Sequence, residues 1–168
     1  YHLGYRSYPA YPLVLHGPMT ANISWTEPVL PFIEVEPRGN YDIIFGFSVY
    51  VDPIVDKFID KVINKVMKKL PGVKWINGSQ LPWKEFAEYA AGAKVYVGDK
   101  TGMHVIAHGL NKPFIVEAEG NSERRSDIFC CPWNNDNVFR IESSSHYQII
   151  DFTTAYADAI IEYLDKNG

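Results

Sequence analysis

The sequence predicts an α/β fold, a mostly parallel sheet covered by helices on both faces, and three observations predict it. From Tyr41 onward, short β-branched and aromatic runs alternate with helical segments. The run Tyr41 to Phe47, YDIIFGF, has the length and near-continuous apolar character of a strand buried on both sides. Behind it, Ile54, Val55, Phe58, Ile59, Val62, Ile63, Val66, Met67 and Leu70 recur in pairs every four residues, building one wide apolar face on a helix.

The elements follow in order. Asp52 before Pro53 reads as an N-cap with proline in the first helical turn, and Lys68, Lys69, Pro71 and Gly72 close that helix. VKWIN (Val73 to Asn77) is a second strand, and Pro82 starts a second helix to about Ala91 whose apolar positions are Trp83, Phe86, Ala87 and Ala90. The stretch Lys94 to Val116, KVYVGDKTGMHVIAHGLNKPFIV, reads as strand, tight turn, short helix and strand. An irregular segment follows Glu119, then a short strand at Val138 to Ile141. Ser143 to Ser145 can cap a last helix with Ile149, Phe152, Tyr156, Ile160 and Leu164 in its buried stripe. Elements in this order favour a Rossmann-like three-layer sandwich, in which ligands bind beyond the C-terminal ends of the strands.

The first residues read differently. Pro9, Pro12, Pro18, Pro28, Pro31 and Pro37 with many tyrosines predict an extended arm or linker over residues 1–39, leaving 40–168 as the folded domain. A chain starting at Tyr1 with such an arm is expected to be a piece of a longer protein.

Bulk properties narrow the function classes. With 46% apolar and 14% aromatic residues in 168, the chain can build a proper core. Its formal net charge of -4 lacks the basic excess that accompanies phosphate-backbone binding, so no nucleic-acid partner is expected. Cys130 and Cys131 are adjacent and match no zinc spacing. Without a membrane span or signal peptide in the sequence, the expected compartment is the cytoplasm.

The chemistry-bearing residues gather at the turn DKTGMH. It leads into a helix N-terminus, where free N–H groups and the positive end of the helix dipole favour an anion such as a nucleotide phosphate. Asp99 reads either as a cap or as a ligand contact, and Thr101 with Gly102 lets a ligand approach the backbone. His104 and His108, four residues apart, share a helix face, but no third ligand stands at a telling spacing and both read as structural rather than metal-binding. Of the two, His104 in the first turn is better placed to donate to a phosphate or sugar hydroxyl, and His108 to be packed. Glu117 and Glu119 read as a solvated strand end or as acceptors for sugar hydroxyls, and Arg124 and Arg125 as loop residues or as forked donors to a diphosphate. Lys57, Lys61, Lys65 and Lys68 form a basic row that reads as a solvated face. Trp75, Trp83 and Trp133 can stack on a base, although two of them fall at expected core positions.

The run VGDKTGMHVIAHGLNKPFIV resembles the C-terminal-domain signature of the heptosyltransferase family, with Asp99, Thr101, Gly102, His104, Ala107 and Pro113 matching in order. The preceding LPWKEFAEYAAGAKVYVG resembles the helix that leads into that strand; the likeness is close over Leu81 to Gly120 and loose beyond. The resemblance implies the C-terminal, nucleotide-sugar-binding half of a GT-B glycosyltransferase. The reaction it implies is metal-independent transfer of a sugar from a nucleotide diphosphate to an acceptor hydroxyl, with no cofactor. It implies a donor-binding set drawn from Asp99, Lys100, Thr101, Gly102, Met103, His104, Glu117, Glu119 and Arg124. It also implies an N-terminal GT-B domain that carries the catalytic base outside this chain. The family usually places a lysine after its first C-terminal-domain strand, and GFSVYVDP (Gly46 to Pro53) has none. A non-catalytic α/β interaction module that has lost the donor site is the alternative reading.

Overall fold

The computed structural model describes residues 33–47, 52–99, 102–119, 138–143 and 152–167. Strand β1 (Tyr41–Gly46) leads to helix α1 (Asp52–Lys69), β2 (Trp75–Asn77), α2 (Trp83–Ala91) and β3 (Ala93–Gly98). Helix α3 (Gly102–Gly109), β4 (Phe114–Glu119), β5 (Val138–Ser143) and α4 (Phe152–Asn167) complete the order. The strands form a five-stranded sheet in the order β2-β1-β3-β4-β5, and every neighbouring pair is parallel. Each connection must therefore cross from one end of the sheet to the other, which is why helices alternate with strands.

Alternation along the strands divides the core into two layers. Ile43, Phe45, Val95, Val97 and Ile115 pack with Ile59, Val62, Ile63 and Val66 of α1 and with Tyr156, Ala157, Ile160, Tyr163 and Leu164 of α4. On the opposite face, Ile44, Tyr96, Phe114 and Val116 pack with Phe86 and Ala90 of α2 and Ala107 of α3. The three-layer α/β sandwich expected from the sequence is thus the observed architecture.

Several details differ from the sequence expectation. Met67, expected in the apolar face of α1, is 40% exposed, while Ile59, Val62, Ile63 and Val66 are buried and Val55, Phe58 and Leu70 pack against them. Ser143 closes β5 rather than capping α4, and the capping serines 144 and 145 lie outside the described residues. Trp83, expected in the buried stripe of α2, stands at its first residue and is 64% exposed, whereas Trp75 packs edge-on against Phe45. The row Lys57, Lys61, Lys65 and Lys68 is exposed, and Lys65 Nζ donates to Thr154 Oγ1 at 2.6 Å, tying α1 to α4.

Residues 33–40, where the expected arm meets the domain, have no regular secondary structure and run along the C-terminal parts of α2 and α3. The Ile33 N–H donates to the Gly109 carbonyl at 3.0 Å and the Arg38 N–H to the Glu88 carbonyl at 2.9 Å. The Arg38 guanidinium lies 4.7 Å from the centre of the Tyr89 ring and pairs with Glu85. Helix α3 ends where Asn111 takes a left-handed φ of 57°, a conformation asparagine tolerates. Lys112 Nζ then donates to the carbonyls of Ala91 and Ala93, at 2.7 and 2.9 Å, where α2 gives way to β3.

Candidate functional site

The strand order reverses direction between β1 and β3, because β1 connects outward to β2 on one side while β3 connects onward to β4 on the other. Crossover helices leave that boundary on opposite faces, and the carboxyl ends of two such strands are where open α/β sheets bind ligands in a crevice. Both strands end there in glycine, and Gly46 and Gly98 are direct partners in register. A Cβ added to Gly98 would run into the Gly46 carbonyl oxygen and the Tyr96 hydroxyl, and one added to Gly46 would meet the Tyr96 ring at 2.6 Å and Met103 Sδ at 3.1 Å. The floor at this boundary is therefore buried backbone, packed under Tyr96 and Met103 so closely that neither position admits a side chain.

Tyr96 fixes this floor from below. Its hydroxyl lies 2.6 Å from the Gly46 carbonyl oxygen and 2.9 Å from that of Asp99. From the other face the Tyr156 hydroxyl donates to the Gly98 carbonyl at 2.9 Å. The loop after β2 braces the chain leaving β1: Ser79 Oγ accepts the Phe47 N–H at 3.1 Å, and Asn77 Oδ1 accepts the Ser79 N–H at 3.0 Å. Asn77 Nδ2 donates in turn to Asp56 Oδ1 of α1 at 2.9 Å, so the loop is tied to that helix as well.

The predicted donor-binding residues distribute around this floor. Asp99 directly follows β3, and its N–H points to the Gly46 carbonyl at 3.4 Å. Helix α3 begins at Gly102, three residues beyond Asp99. Gly102 and Met103 form the start of α3, and Met103 covers Gly46. Glu117 and Glu119 occupy the last half of β4, paired with Ile141 and Ser143 of β5. Lys100, Thr101, Arg124 and Arg125 lie outside the described residues.

His104, expected to donate to a phosphate or sugar hydroxyl, lies inside the core. Its ring is fully buried, stacked parallel to Tyr96 at 6.1 Å and edge-on to Phe114 at 4.3 Å. The cause is helical periodicity, since residues 104, 107 and 108 form the stripe of α3 that faces the sheet. His108 is buried as expected, and burial lowers its pKa to about 4.

Sequence reasoning missed the Gly46–Gly98 pair, Tyr96 and Ser79 as site-forming residues. The available signals were the glycine ending both IIFG and VYVG, and the serine in the turn after WIN. Among the described residues no group of three or more His, Cys, Asp or Glu is arranged to hold a metal, and no helix is long and apolar enough to cross a membrane.

The parallel sheet and its covering helices have a GT-B glycosyltransferase-like fold. Solved structures that share it include the pneumococcal O-GlcNAc transferase GtfA in complex with UDP and GlcNAc, with 13% identity and a TM-score of 0.54 over 79% of this chain. The E. coli heptosyltransferase WaaC with ADP matches with 14% identity and a TM-score of 0.50 over 100% of this chain. The chain spans 32% of the length of the first and 59% of the second. No protein-family model matches it, and no curated protein matches it in sequence.

Proposed function

We propose that this chain is the donor-binding half of a GT-B glycosyltransferase, holding a nucleotide-diphosphate sugar at the crevice between β1 and β3. The observation that carries the reading is the start of α3 at the boundary between β1 and β3, where the strand order reverses. A diphosphate needs backbone N–H donors, and a helix that starts at the point where the strand order reverses offers them.

In this reading the N–H groups at Gly102 and Met103, with Lys100 and Thr101 in the turn, hold the diphosphate. Asp99, Glu117 and Glu119 accept from sugar or ribose hydroxyls, and Arg124 adds a cation. His104 acts through its packing: wedged between Tyr96 and Phe114, it fixes the first turn of α3 over the floor. Stabilising the departing diphosphate with such fixed dipoles lowers the barrier to sugar transfer. The group that activates the acceptor hydroxyl belongs to an N-terminal domain outside this chain.

Calorimetric titration with ADP-, UDP-, GDP- and CDP-sugars tests the reading. The expected result is saturable binding of at least one donor, weakened by Asp99→Ala in a variant that keeps the parent's circular dichroism. No binding by any of the four would refute it and favour an interaction module that keeps the fold without the donor.

A further inference from the structure

We infer that the exposed indole of Trp83 is the stacking surface for the aromatic base of the nucleotide, beside the turn that holds its diphosphate; the inference rests on the donor-binding reading above. Trp83 is the first residue of α2 and Gly102 the first of α3, so both stand at the edge of the sheet where the strands end. The indole lies directly on Gly102: a Cβ at that position would overlap the six-membered ring. Glycine at 102 is thus what lets a flat aromatic ring settle against the helix start.

Packing does not account for the tryptophan. It remains 64% exposed, against 40% for Met67 and 38% for Val105, the other large apolar side chains exposed among the described residues. Val105, three residues beyond Gly102 on α3, is an exposed apolar residue of that helix. The structure therefore sets an exposed aromatic ring next to the N-terminus of a helix.

A nucleoside diphosphate has the matching division, one flat apolar base and one compact anion. Indole is well suited to the base because every base has a π-face, so the contact adds affinity with little selection among bases. The N–H groups at the turn supply the anion's share. On this assignment Trp83 contributes general nucleotide affinity, and discrimination among bases comes from groups that reach the base edge.

The test compares parent, Trp83→Ala and Trp83→Phe in calorimetric titrations with ADP, UDP and inorganic pyrophosphate, with circular dichroism checking that each variant is folded. Trp83→Ala should weaken ADP and UDP by roughly tenfold or more, Trp83→Phe should recover most of that loss, and pyrophosphate affinity should stay the same. Unchanged ADP and UDP affinity in Trp83→Ala would overturn the inference alone and assign the surface to a protein contact. An equal loss for pyrophosphate would also overturn it, since the indole would then only shape the turn. A parent that binds none of the three would remove the donor-binding reading and this inference together.

Discussion

Tyr96 and Gly46 are joined across the point where the sheet changes direction, the phenol oxygen 2.6 Å from the glycine carbonyl oxygen. The same hydroxyl lies 2.9 Å from the Asp99 carbonyl oxygen, so one buried side chain sets both the end of β1 and the start of the turn after β3. The packing of the two strand ends depends on that link.

Tyr96→Phe removes the link with little change in volume. Leaving buried carbonyls with one partner fewer should cost about 1–2 kcal/mol, read from the midpoint of urea unfolding. If the donor-binding reading holds, nucleotide affinity should fall as well, because Asp99 is no longer held.

Gly98→Ala should be among the more damaging small substitutions in the chain. Its new methyl would meet the Gly46 carbonyl oxygen and the Tyr96 hydroxyl, neither of which can yield without breaking the register of β1 and β3. An overpacking cost of about 3 kcal/mol is expected. Gly72→Ala is the control, since nothing lies within 4 Å of its would-be Cβ, and its unfolding midpoint should shift little.

Stability should fall on acidification in two stages. Unfolded His108 takes up its proton near 6.5, whereas burial holds the folded group off to about 4. Between those values the unfolded state binds the extra proton, so the contribution is fully present above 6.5 and is lost as pH falls towards 4. It amounts to something on the order of 3 kcal/mol, and His108→Leu should flatten this limb in urea titrations run across the range.

The second stage belongs to Asp42. Partial burial would raise its carboxyl, but the N–H of Lys74, donating at 2.8 Å, and the Lys94 ammonium at 3.0 Å outweigh it and hold the group below 3.8. That contribution is present above the unfolded value and is lost as pH falls through the lower folded one. Asp42→Asn should lessen the acid-induced loss below pH 3.8 while leaving the His108 limb in place.

Lys112 holds two carbonyls, those of Ala91 and Ala93, at the junction of α2 and β3. Lys112→Met keeps most of the stem and removes the ammonium, and about 1–2 kcal/mol of stability should go with it. Hydrogen exchange localises the effect: faster exchange should appear at the end of α2 and the start of β3, ahead of α1.

Much of this molecule was legible in the sequence. The apolar pairs of α1, the buried runs YDIIFGF and KVYVG, and the turn into GMHVIAHG are local signals, because the periods of helix and strand are written in neighbouring residues. They were enough to define the α/β sandwich and to point to the turn after β3.

Tertiary structure decided what sits opposite what. Periodicity shows that a face is apolar but not which element covers it, so the identical reading given to Trp83 and Phe86 ended with one 64% exposed and the other fully buried. His104 became a core residue because Tyr96 and Phe114, on two separate strands, close around it. Gly46 and Gly98 are ordinary strand ends 52 positions apart until the β1–β3 register brings them together. Register and strand order are properties of distant segments packed at once, and they set the start of α3 beside two paired strand ends and against the Trp83 indole.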